Sequence, residues 1–328
     1  MKYNPLGRTG LQVSQFGFGC GNIGGILVRG DYPTMRRVVS RAIELGVNYF
    51  DTAPVYGDGQ SEVNLGAVLR ELRADVRVGT KVRLAAGDLA RIGAAIVQSA
   101  EGSLRRLGRE AVDLIQLHNH LGLQRQPEKS RLSMEDLDAV IRAFQGLQQQ
   151  GKVRFWGITG MGESEALQAA AARGEFQTIQ VPYNLLNQSA GTLAPSGFPF
   201  QDYGQLIDHA GQRDAGVIAI RILAGGALSG TTERHPVAAK WVNPIASETF
   251  YSADVARARR YEFLVEEGLA ENLVESAVRF VISKSGVATA LLGISSLDQL
   301  EQAVRYVEGG PWPADTLERI RATWARPE

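Results

Sequence analysis

Four residues whose side chains can transfer or stabilise a proton lie at the ends of predicted strands. Asp51 and Tyr56 occur in the segment FDTAPVYG, Lys81 ends the segment VGTK, and His118 lies in LIQLHN. The carboxyl ends of parallel strands share one face of an α/β protein, and such folds place their active sites on that face. We therefore expect these four side chains to lie close together.

The four side chains together suit the reduction of a carbonyl group. A tyrosine is a weak acid near neutral pH because its ordinary pKa is about 10. An ammonium such as Lys81 stabilises the phenolate and lowers the pKa of Tyr56, while Asp51 can hold the lysine through an ion pair. His118 can orient a carbonyl oxygen or share the proton with Tyr56. Such a set fits reversible carbonyl reduction with a nicotinamide cofactor as the hydride donor.

Each of these residues also has a simple structural explanation. Asp51 can cap a turn, Lys81 can be a solvated strand end, and Tyr56 can cover the mouth of the fold. His118 and His120 have the spacing of a metal-binding pair, but no cysteine or carboxylate cluster nearby completes a site, so no metal is expected. The chain also lacks G-x-S-x-G and G-x-x-x-x-G-K-[ST], which disfavours a nucleophile-elbow hydrolase and a P-loop enzyme.

Composition excludes several other classes of function. The 328 residues contain 35 Lys plus Arg and 35 Asp plus Glu, so no net charge attracts nucleic acid or an anionic membrane. The one cysteine, Cys20, cannot form an internal disulfide, and the first residues lack the apolar core of a signal peptide. No apolar run approaches the roughly 20 residues of a membrane helix. We expect a soluble cytoplasmic protein.

Short apolar segments alternate with helical patterns along the whole chain. An amino-terminal hairpin is predicted over Lys2–Gln15 because turn residues separate short alternating stretches. The eight strands predicted after it are Phe16–Gly19, Val47–Phe50, Val76–Gly79, Val112–Leu117, Val153–Ile158, Thr178–Val181, Val217–Ile220 and Ala288–Leu292. The helices predicted after them are Met35–Leu45, Glu62–Leu72, Leu89–Leu107, Met134–Gln149, Glu165–Ala172, Gly204–Arg213, Leu273–Ser285 and Leu297–Val307. Strict alternation implies parallel pairing, so we predict an α/β fold with one (β/α)8 TIM-barrel domain over residues 1–328, capped by the hairpin.

Three long loops account for the length beyond the roughly 250 residues of a plain barrel. They are Leu121–Ser133, Leu185–Tyr203 and Leu228–Ala253. Each follows a predicted strand and therefore lies on the carboxyl-terminal face. Loops of this length in a compact domain usually form lids or binding walls. The last one carries Trp241, Phe250 and Tyr251, and we interpret it as a wall of the substrate pocket.

A glycine-rich segment offers a competing interpretation. Gly19–Gly24 fits G-x-G-x-x-G after a strand, and Asp51 ends the next strand, as in a two-domain Rossmann dehydrogenase. That motif requires a helix to begin at its third glycine. The following residues include Gly25, Gly30 and Pro33, which are poor material for a first helical turn. We expect the helix to begin near Pro33 and the glycines to allow close approach of a ligand or a neighbouring chain.

The same segments resemble the aldo-keto reductase family, with a match from the hairpin nearly to Leu300. FDTAPVYGDGQSEVNLG resembles the family signature, GTK its lysine segment and DLIQLHN its histidine segment, in the family's order. The resemblance implies that Asp51, Tyr56, Lys81 and His118 form the catalytic tetrad, with Tyr56 as the general acid. It also implies a (β/α)8 barrel that binds NAD(P)(H) across its carboxyl face. The branch of potassium-channel β subunits and bacterial sugar-type reductases is the most similar.

The resemblance also implies a set of cofactor-binding residues, several of which depart from the family pattern. Thr159-Gly160 replaces the usual Ser-Asn pair at the nicotinamide, and Ile220 replaces the stacking aromatic residue. Arg221 stands where a small polar residue is usual and would lie along the pyrophosphate. The full predicted set is Gly21, Asn22, Asp51, Thr159, Gln180, Tyr183, Ile220, Arg221, Leu223, Gly225, Gly293, Ser295, Gln299 and Gln302.

The adenosine end decides which nucleotide is preferred. NADP(H) is the usual cofactor of the family, and members that prefer it commonly have Lys or Arg against the 2′-phosphate. Here the matching segment offers Gly293, Ile294 and Gln299, and Asp298 would repel that phosphate. NAD(H) is therefore the alternative cofactor.

The expected function is that of a cytosolic NAD(P)-dependent oxidoreductase. Its substrate would be a small aldehyde, ketone or sugar hemiacetal or lactone. An alternative of another class is a cofactor-binding regulatory or scaffold subunit with weak turnover, like the channel-associated branch. The sequence predicts no oligomeric state.

Overall fold

Eight parallel strands close into a barrel, and a separate antiparallel hairpin lies at one of its ends. The computed structural model describes residues 1–246 and 250–326. The barrel order is β10-β3-β4-β5-β6-β7-β8-β9, and β1 pairs with β2. The strands are β1 (Tyr3–Pro5), β2 (Gln12–Ser14), β3 (Phe16–Gly19), β4 (Tyr49–Asp51), β5 (Arg77–Val82), β6 (Val112–Leu117), β7 (Val153–Thr159), β8 (Thr178–Pro182), β9 (Gly216–Ile220) and β10 (Val287–Gly293).

Helices surround the barrel and connect its strands. They are α1 (Ile26–Arg29), α2 (Tyr32–Glu44), α3 (Gln60–Glu71), α4 (Ile92–Leu107), α5 (Leu137–Gln149), α6 (Ser164–Ala172), α7 (Leu206–Gly211), α8 (Tyr251–Ala258), α9 (Phe263–Glu266), α10 (Leu273–Ile282), α11 (Leu297–Glu308) and α12 (Ala314–Ala325). Short 3-10 turns occur at Ala86–Asp88, Pro127–Lys129, Met134–Asp136, Ala224–Ser229 and Arg259–Tyr261.

Helix α2 illustrates how the local sequence determines an element. Its first turn is capped by Asp31, whose carboxylate accepts a hydrogen bond of 2.9 Å from the backbone amide of Thr34. Its apolar residues, including Met35 and Val38, recur at helical spacing and are buried against the barrel. Helix α2 begins at Tyr32, close to the predicted Pro33. The expectation of no helix before it was wrong, because the four-residue helix α1 (Ile26–Arg29) begins just after Gly24, the third glycine of the G-x-G-x-x-G segment.

The hairpin closes the amino-terminal end of the barrel with apolar side chains. Its buried residues Leu6, Leu11 and Val13 pack in one cluster with residues of the barrel strands, which are Tyr49, Leu114, Ile218 and Ala288. The close approach depends on Gly7, whose φ is 50° and whose added Cβ would lie 2.2 Å from the backbone nitrogen of Gly216. Side chains of this end therefore contribute to the core.

The long loops lie at the opposite, carboxyl-terminal end. Residues 121–133 contain one 3-10 turn, and residues 185–203 contain no helix or strand. The loop predicted over residues 228–253 ends where α8 begins, at Tyr251, and its residues 247–249 lie outside the described ranges. Trp241 in this loop is 92% exposed. Its role as a wall of the substrate pocket stays a prediction.

The predicted (β/α)8 barrel with its hairpin is confirmed, and a closed barrel excludes the open Rossmann sheet. The largest difference within the barrel is in β5, which extends beyond the predicted Val76–Gly79 to Val82, so that Lys81 lies inside a strand rather than after it. Helices α1, α8, α9 and α12 were not predicted. The assignment of residues 1–328 to one domain stays a prediction.

Candidate active site

A buried ion pair lies at the carboxyl end of the barrel. The Nζ of Lys81 donates to Oδ1 of Asp51 and, over 2.8 Å, to the backbone carbonyl of Thr52. Asp51 and Lys81 are each only 1% exposed. They come from the neighbouring strands β4 and β5, and both side chains point into the barrel. A buried charge requires such pairing, since an unpaired one would be strongly destabilising.

The Asp51 carboxylate has two further partners inside the barrel. Nε2 of Gln180 donates to its Oδ2 over 2.6 Å, and the hydroxyl of Tyr49 donates over 3.3 Å. Oγ1 of Thr159 donates in turn to Oε1 of Gln180 over 3.4 Å. Burial raises the pKa of Asp51, while Lys81, Tyr49 and Gln180 act against that increase. These contacts join the ends of β4, β5, β7 and β8 into one polar network.

Tyr56 lies beside this network, in the loop that follows β4. The Nζ of Lys81 is 4.8 Å from the centre of the Tyr56 ring. The His118 ring, just after β6, has its centre 6.1 Å from that of Tyr56 at an interplanar angle of 86°. The structure therefore brings together the four side chains that the sequence predicts as a tetrad.

The loop that carries Tyr56 is braced by the loop after β3. Oδ1 of Asn22 accepts a 2.9 Å hydrogen bond from the backbone amide of Gly57, and Nδ2 of Asn22 donates over 3.4 Å to the carbonyl of Val55. Gly21 packs against the tyrosine ring, since an added Cβ would lie 3.4 Å from its Cζ atom. Gly21 and Asn22, predicted as cofactor residues, thus also position Tyr56.

The pKa of Tyr56 differs from the sequence expectation. Burial raises the pKa of Tyr56, and this effect exceeds the lowering caused by the Lys81 ammonium. The expected lowering by Lys81 is present, but the net shift is upward because the hydroxyl is largely removed from water. Tyr56 is therefore protonated at neutral pH, as a proton donor must be before it reacts.

His118 is neutral over the same pH range. Burial, followed by the charges of Lys81 and Arg83, lowers the pKa of His118 to about 3. Its Nδ1 is buried and has no hydrogen-bond partner among the described residues. A neutral imidazole can donate one hydrogen bond and accept another. Of the two roles considered for His118, orientation of a carbonyl oxygen fits this state better than sharing an imidazolium proton with Tyr56.

The part of the carboxyl-terminal face that is predicted to bind the nicotinamide presents both polar and apolar groups. The Gln180 amide and the Thr159 hydroxyl are buried beside Asp51. Gly160 leaves no room for a side chain, because an added Cβ would lie 2.7 Å from the carbonyl oxygen of Gln180. Ile220 ends β9 and is partly exposed, which provides an apolar surface without aromatic stacking. These groups fit a carboxamide and an adjoining ring.

The loop after β9 has an unusual backbone. Positive φ angles occur at Arg221 (56°), Ala224 (47°), Gly225 (71°) and Gly226 (109°). Left-handed residues in succession form concave groups of backbone amides that bind anions. Leu223 and Gly225, predicted at the pyrophosphate, belong to this segment, and its geometry fits that group.

The residues predicted at the adenosine end connect two loops. Oγ of Ser295 donates over 2.6 Å to the carbonyl of Gly24, and the backbone amide of Ser295 donates over 3.0 Å to Oε1 of Gln299. Gly293 takes part in the same contact between the loops. An added Cβ on Gly24 would lie 2.5 Å from the carbonyl carbon of Gly293. Gln302 lies exposed on α11. The loops after β3 and β10 thus meet where the nucleotide is expected to end.

Tyr183 is the predicted site residue that the structure does not bring to this face. It is 3% exposed, and its ring stacks on Phe280 of α10 with centres 4.9 Å apart. Tyr183 follows Gln180 by three positions, and the alternation of side chains along a strand directs it outward. Its contacts belong to the layer between barrel and helices.

Three side chains near the site were missed by sequence reasoning. Tyr49 was detectable, since it precedes Asp51 by two residues on one strand and so faces the same way. Arg234 donates over 2.9 Å to the carbonyl of Gly225, and Arg29 donates over 2.7 Å to the carbonyl of Val237. No local pattern signals these two long-range contacts, which hold the loops after β3 and β9.

Two further kinds of feature are absent from residues 1–246 and 250–326. No group of three or more His, Cys, Asp or Glu side chains in them could hold a metal ion. No helix in them is long and apolar enough to cross a membrane. The cytoplasmic location stays a prediction.

The closed barrel of eight parallel strands, with Asp51, Lys81, Tyr56 and His118 together at its carboxyl-terminal end, defines a TIM-barrel protein. The family model for the aldo/keto reductase family matches residues 15–325. The chain therefore belongs to the aldo/keto reductase family, and membership makes it an NAD(P)-dependent oxidoreductase that acts on small molecules.

Similar proteins include enzymes and a channel subunit. L-galactose dehydrogenase of Arabidopsis thaliana is 28% identical, over 98% of this chain and 94% of its own. A putative voltage-gated potassium channel subunit beta of Schizosaccharomyces pombe is 33% identical over 56% of this chain and 54% of its own. The holo-form structure of the aldo-keto reductase AKR11C1 from Bacillus halodurans has a TM-score of 0.72 at 27% identity, covering 98% of this chain and 96% of its own.

Proposed function

We propose that this protein interconverts a carbonyl group and an alcohol on a small molecule, with Tyr56 as the general acid in reduction and the general base in oxidation. The observation that carries the proposal is the ion pair of Lys81 and Asp51 beside the Tyr56 ring. It supplies a positive charge next to the hydroxyl that gains and loses the proton. The pair is buried, so its field is weakly screened by water.

Bound NAD(P)H supplies the hydride that the carbonyl carbon accepts. Tyr56 transfers its hydroxyl proton to the carbonyl oxygen, which becomes the hydroxyl of the product alcohol. The phenolate left on Tyr56 is stabilised by the Lys81 ammonium, and Asp51 keeps that ammonium in place. In oxidation the same groups act in reverse, and Tyr56 must lose its proton first.

Neutral His118 contributes orientation rather than charge. One ring nitrogen can donate a hydrogen bond to the substrate oxygen while that oxygen approaches Tyr56, because the two rings lie edge to face. With a pKa lowered to about 3, His118 stays neutral at any pH at which the protein is expected to work. Reduction should therefore show no titration of His118 near pH 6.5.

The relatives support a sugar or a related carbonyl compound as the substrate class. L-galactose dehydrogenase, whose name states an oxidation of a sugar, covers almost the whole of this chain. An aldehyde, ketone or sugar hemiacetal presents the same oxygen to Tyr56 and His118. NADP(H) or NAD(H) is held by the loops after β3, β7, β9 and β10, and the lack of Lys and Arg in residues 293–302 favours NAD(H).

The test is the Tyr56→Phe variant, which removes the acidic proton and keeps the ring. We expect kcat for carbonyl reduction to fall by about 100-fold or more, the usual contribution of a general acid. Binding of NADH and NADPH, followed by fluorescence quenching, should change little. Tyr32→Phe, at an exposed tyrosine on α2, is the matched control. Turnover by Tyr56→Phe close to that of the wild type would remove Tyr56 from the mechanism.

A second candidate function is a cofactor-binding regulatory subunit. The potassium channel subunit beta supports it, although the match spans little more than half of each chain. This candidate predicts tight binding of a nicotinamide nucleotide without turnover across a panel of aldehydes and sugars. Turnover that depends on Tyr56 distinguishes the enzyme from the subunit.

A further inference from the structure

Arg221 carries a positive charge on the active-site face that no carboxylate balances among the described residues. Its Nη2 atom lies 3.5 Å from the sulfur of Met161, a weak acceptor. Burial lowers the pKa of Arg221, and the neighbours that act against this are the phenols of Tyr203 and Tyr56. A guanidinium that is partly buried without a counter-ion is costly, and a bound anion reduces that cost.

The backbone at Arg221 is held in a conformation that its side chain does not favour. Its φ of 56° lies in the left-handed region, which is strained for a residue other than glycine. Its carbonyl accepts hydrogen bonds of 3.1 Å from Nδ2 of Asn184 and 2.8 Å from the amide of Ala224. The surrounding loops therefore determine the direction in which the arginine extends.

That direction is toward the side of the barrel mouth where His118 lies. Arg221 follows β9, whereas Met161 follows β7, so the side chain reaches past the end of β8. The backbone amide of Leu121 donates over 2.9 Å to the carbonyl of Met161. This bond places the loop that carries His118 and His120 beside the arginine contact. The guanidinium consequently lies on the side of the barrel mouth where His118 lies, and its charge acts on the imidazole of His118.

The predicted nucleotide groups lie in the other direction. The left-handed segment that fits a pyrophosphate begins after Arg221, and Ser295 follows β10, the strand on the opposite side of β9 from β8. The side chain of Arg221 extends away from β10. Its contact with Met161 thus directs it away from the segment where the sequence predicts the pyrophosphate.

The charges around Arg221 reinforce an anion-binding role. Burial and then the charges of Arg221, Arg131 and Arg83 lower the pKa of His120. The nearby acid Glu163 is already paired with Arg131. The region therefore has excess positive charge before a substrate binds.

We propose that Arg221 binds a carboxylate of the substrate, so that this protein acts on carbonyl compounds that also carry a carboxylate, such as semialdehydes or uronic acids. The inference rests on the proposed function and names its substrate class. A planar guanidinium accepts a carboxylate with two parallel hydrogen bonds, a geometry that a neutral alcohol cannot reproduce. Arg221 acts as a specificity residue, while the tetrad performs the proton transfer.

The experiment compares matched substrates with and without the carboxylate. Succinic semialdehyde is compared with butanal, and galacturonate with galactose, using wild type and Arg221→Met. We expect wild type to prefer the carboxylated member of at least one pair. In Arg221→Met the ratio of the two kcat/KM values should fall by about 30-fold, the lower range for loss of one partner of a buried charge pair. Turnover of the neutral member should persist.

Control variants separate a local contact from a general field. Arg221→Lys keeps the charge without the planar fork and should recover part of the preference. Arg37→Met removes an equal charge from an exposed side chain on α2, away from the His118 side of the barrel mouth, and should change the ratio little. Circular dichroism and thermal unfolding verify that each variant folds.

Each other result has a defined meaning. If the kcat/KM ratio of carboxylated to neutral substrate were the same in wild type and Arg221→Met for both substrate pairs, the inference would be overturned. Turnover of the neutral substrates would still support the proposed function. Weaker NADH or NADPH binding by Arg221→Met, without a change in the ratios, would assign Arg221 to the pyrophosphate instead. If wild type turned over none of the four compounds, calorimetric titration of the nucleotide-bound protein with succinate would decide. Equal succinate affinity of wild type and Arg221→Met would then overturn the inference.

Discussion

The two ends of this barrel are built from the same eight strands but from opposite kinds of side chain. At the amino-terminal end Leu6, Leu11 and Val13 of the hairpin enter the barrel and pack on apolar strand residues. At the carboxyl-terminal end the strands present Asp51, Lys81 and other polar groups, with loops rather than a plug above them. The first arrangement excludes water and ligands, whereas the second leaves charged groups within reach of a substrate.

Tyr49 connects the two ends. Its ring packs with the apolar cluster of the hairpin end, and its hydroxyl donates to Asp51. Neighbouring glycines leave room for the Tyr49 side chain, since an added Cβ on Gly79 would lie 2.7 Å from the tyrosine oxygen. The comparison therefore predicts that substitutions at the hairpin end affect stability and that substitutions at the loop end affect turnover, with the buried ion pair affecting both.

The largest effect is expected for Lys81→Met. It leaves the Asp51 carboxylate buried without its ammonium, so the free energy of unfolding should fall by about 3–5 kcal/mol. Carbonyl reduction should be lost as well, because the phenolate of Tyr56 is no longer stabilised. Urea unfolding measures the first effect and kcat the second.

A double variant separates the effect on stability from the effect on turnover. Lys81→Met combined with Asp51→Leu replaces the whole ion pair with apolar groups, and this should recover much of the stability while kcat stays low. If the free energy of unfolding of Lys81→Met equalled that of the wild type, the Lys81–Asp51 pair would not be a buried ion pair. Recovered turnover in the double variant would contradict the proposed mechanism.

A smaller effect, on stability alone, is expected for Leu6→Ala at the hairpin end. Leu6 is fully buried inside the barrel, so its truncation should lower the free energy of unfolding by about 2–5 kcal/mol. Since Leu6 belongs to the hairpin plug at the far end from the tetrad, kcat at a temperature where the variant is folded should equal that of the wild type. Urea unfolding and steady-state kinetics provide the two measurements.

The matched control is a leucine at the loop end. Leu123 is exposed in the loop of residues 121–133, and Leu123→Ala should change the free energy of unfolding by no more than about 0.5 kcal/mol. Any change should appear in KM, because that loop is predicted to line the pocket. A fall in kcat for Leu6→Ala as large as that for Lys81→Met would refute the division between the two ends.

The fold was predictable from local patterns, with limits that have physical causes. Buried parallel strands such as Phe16–Gly19 are short apolar segments, and the predicted bounds of that strand are confirmed. The end of β5 was missed because Lys81 is charged, and only its distant partner Asp51 makes it a buried strand residue. Helix α12 was missed although Thr316, Ile320 and Trp324 are buried at a spacing of four residues.

The candidate site was predictable in its residues but less so in its electrostatics. The tetrad follows from strand ends that share one face, and the structure brings it together as expected. The upward shift in the pKa of Tyr56 depends on how deeply the assembled loops bury the hydroxyl, which no local pattern contains. The direction of the Arg221 side chain likewise depends on a left-handed backbone and a contact with Met161 sixty residues earlier in the sequence.

The smallest expected effect concerns nucleotide preference, which depends on a difference in charge between two sides of the carboxyl-terminal face. Arg221 and its neighbours make one side of that face positive, whereas residues 293–302 contain no Lys or Arg. Asp298 is exposed in the first turn of α11, and Glu301 is paired with Arg41 over 2.8 Å. A 2′-phosphate here would meet an exposed carboxylate, so we expect NADH to bind at least as tightly as NADPH.

Asp298→Asn should tighten NADPH binding by about 2- to 5-fold, as expected for one solvent-screened charge, and leave NADH binding unchanged. Fluorescence quenching with each nucleotide measures both dissociation constants. Glu308→Gln, at the other end of α11, removes the same charge farther from the predicted nucleotide end and should have no effect. NADPH binding by the wild type more than about tenfold tighter than NADH binding, a difference of about 1.4 kcal/mol, would contradict this assignment of the adenosine end.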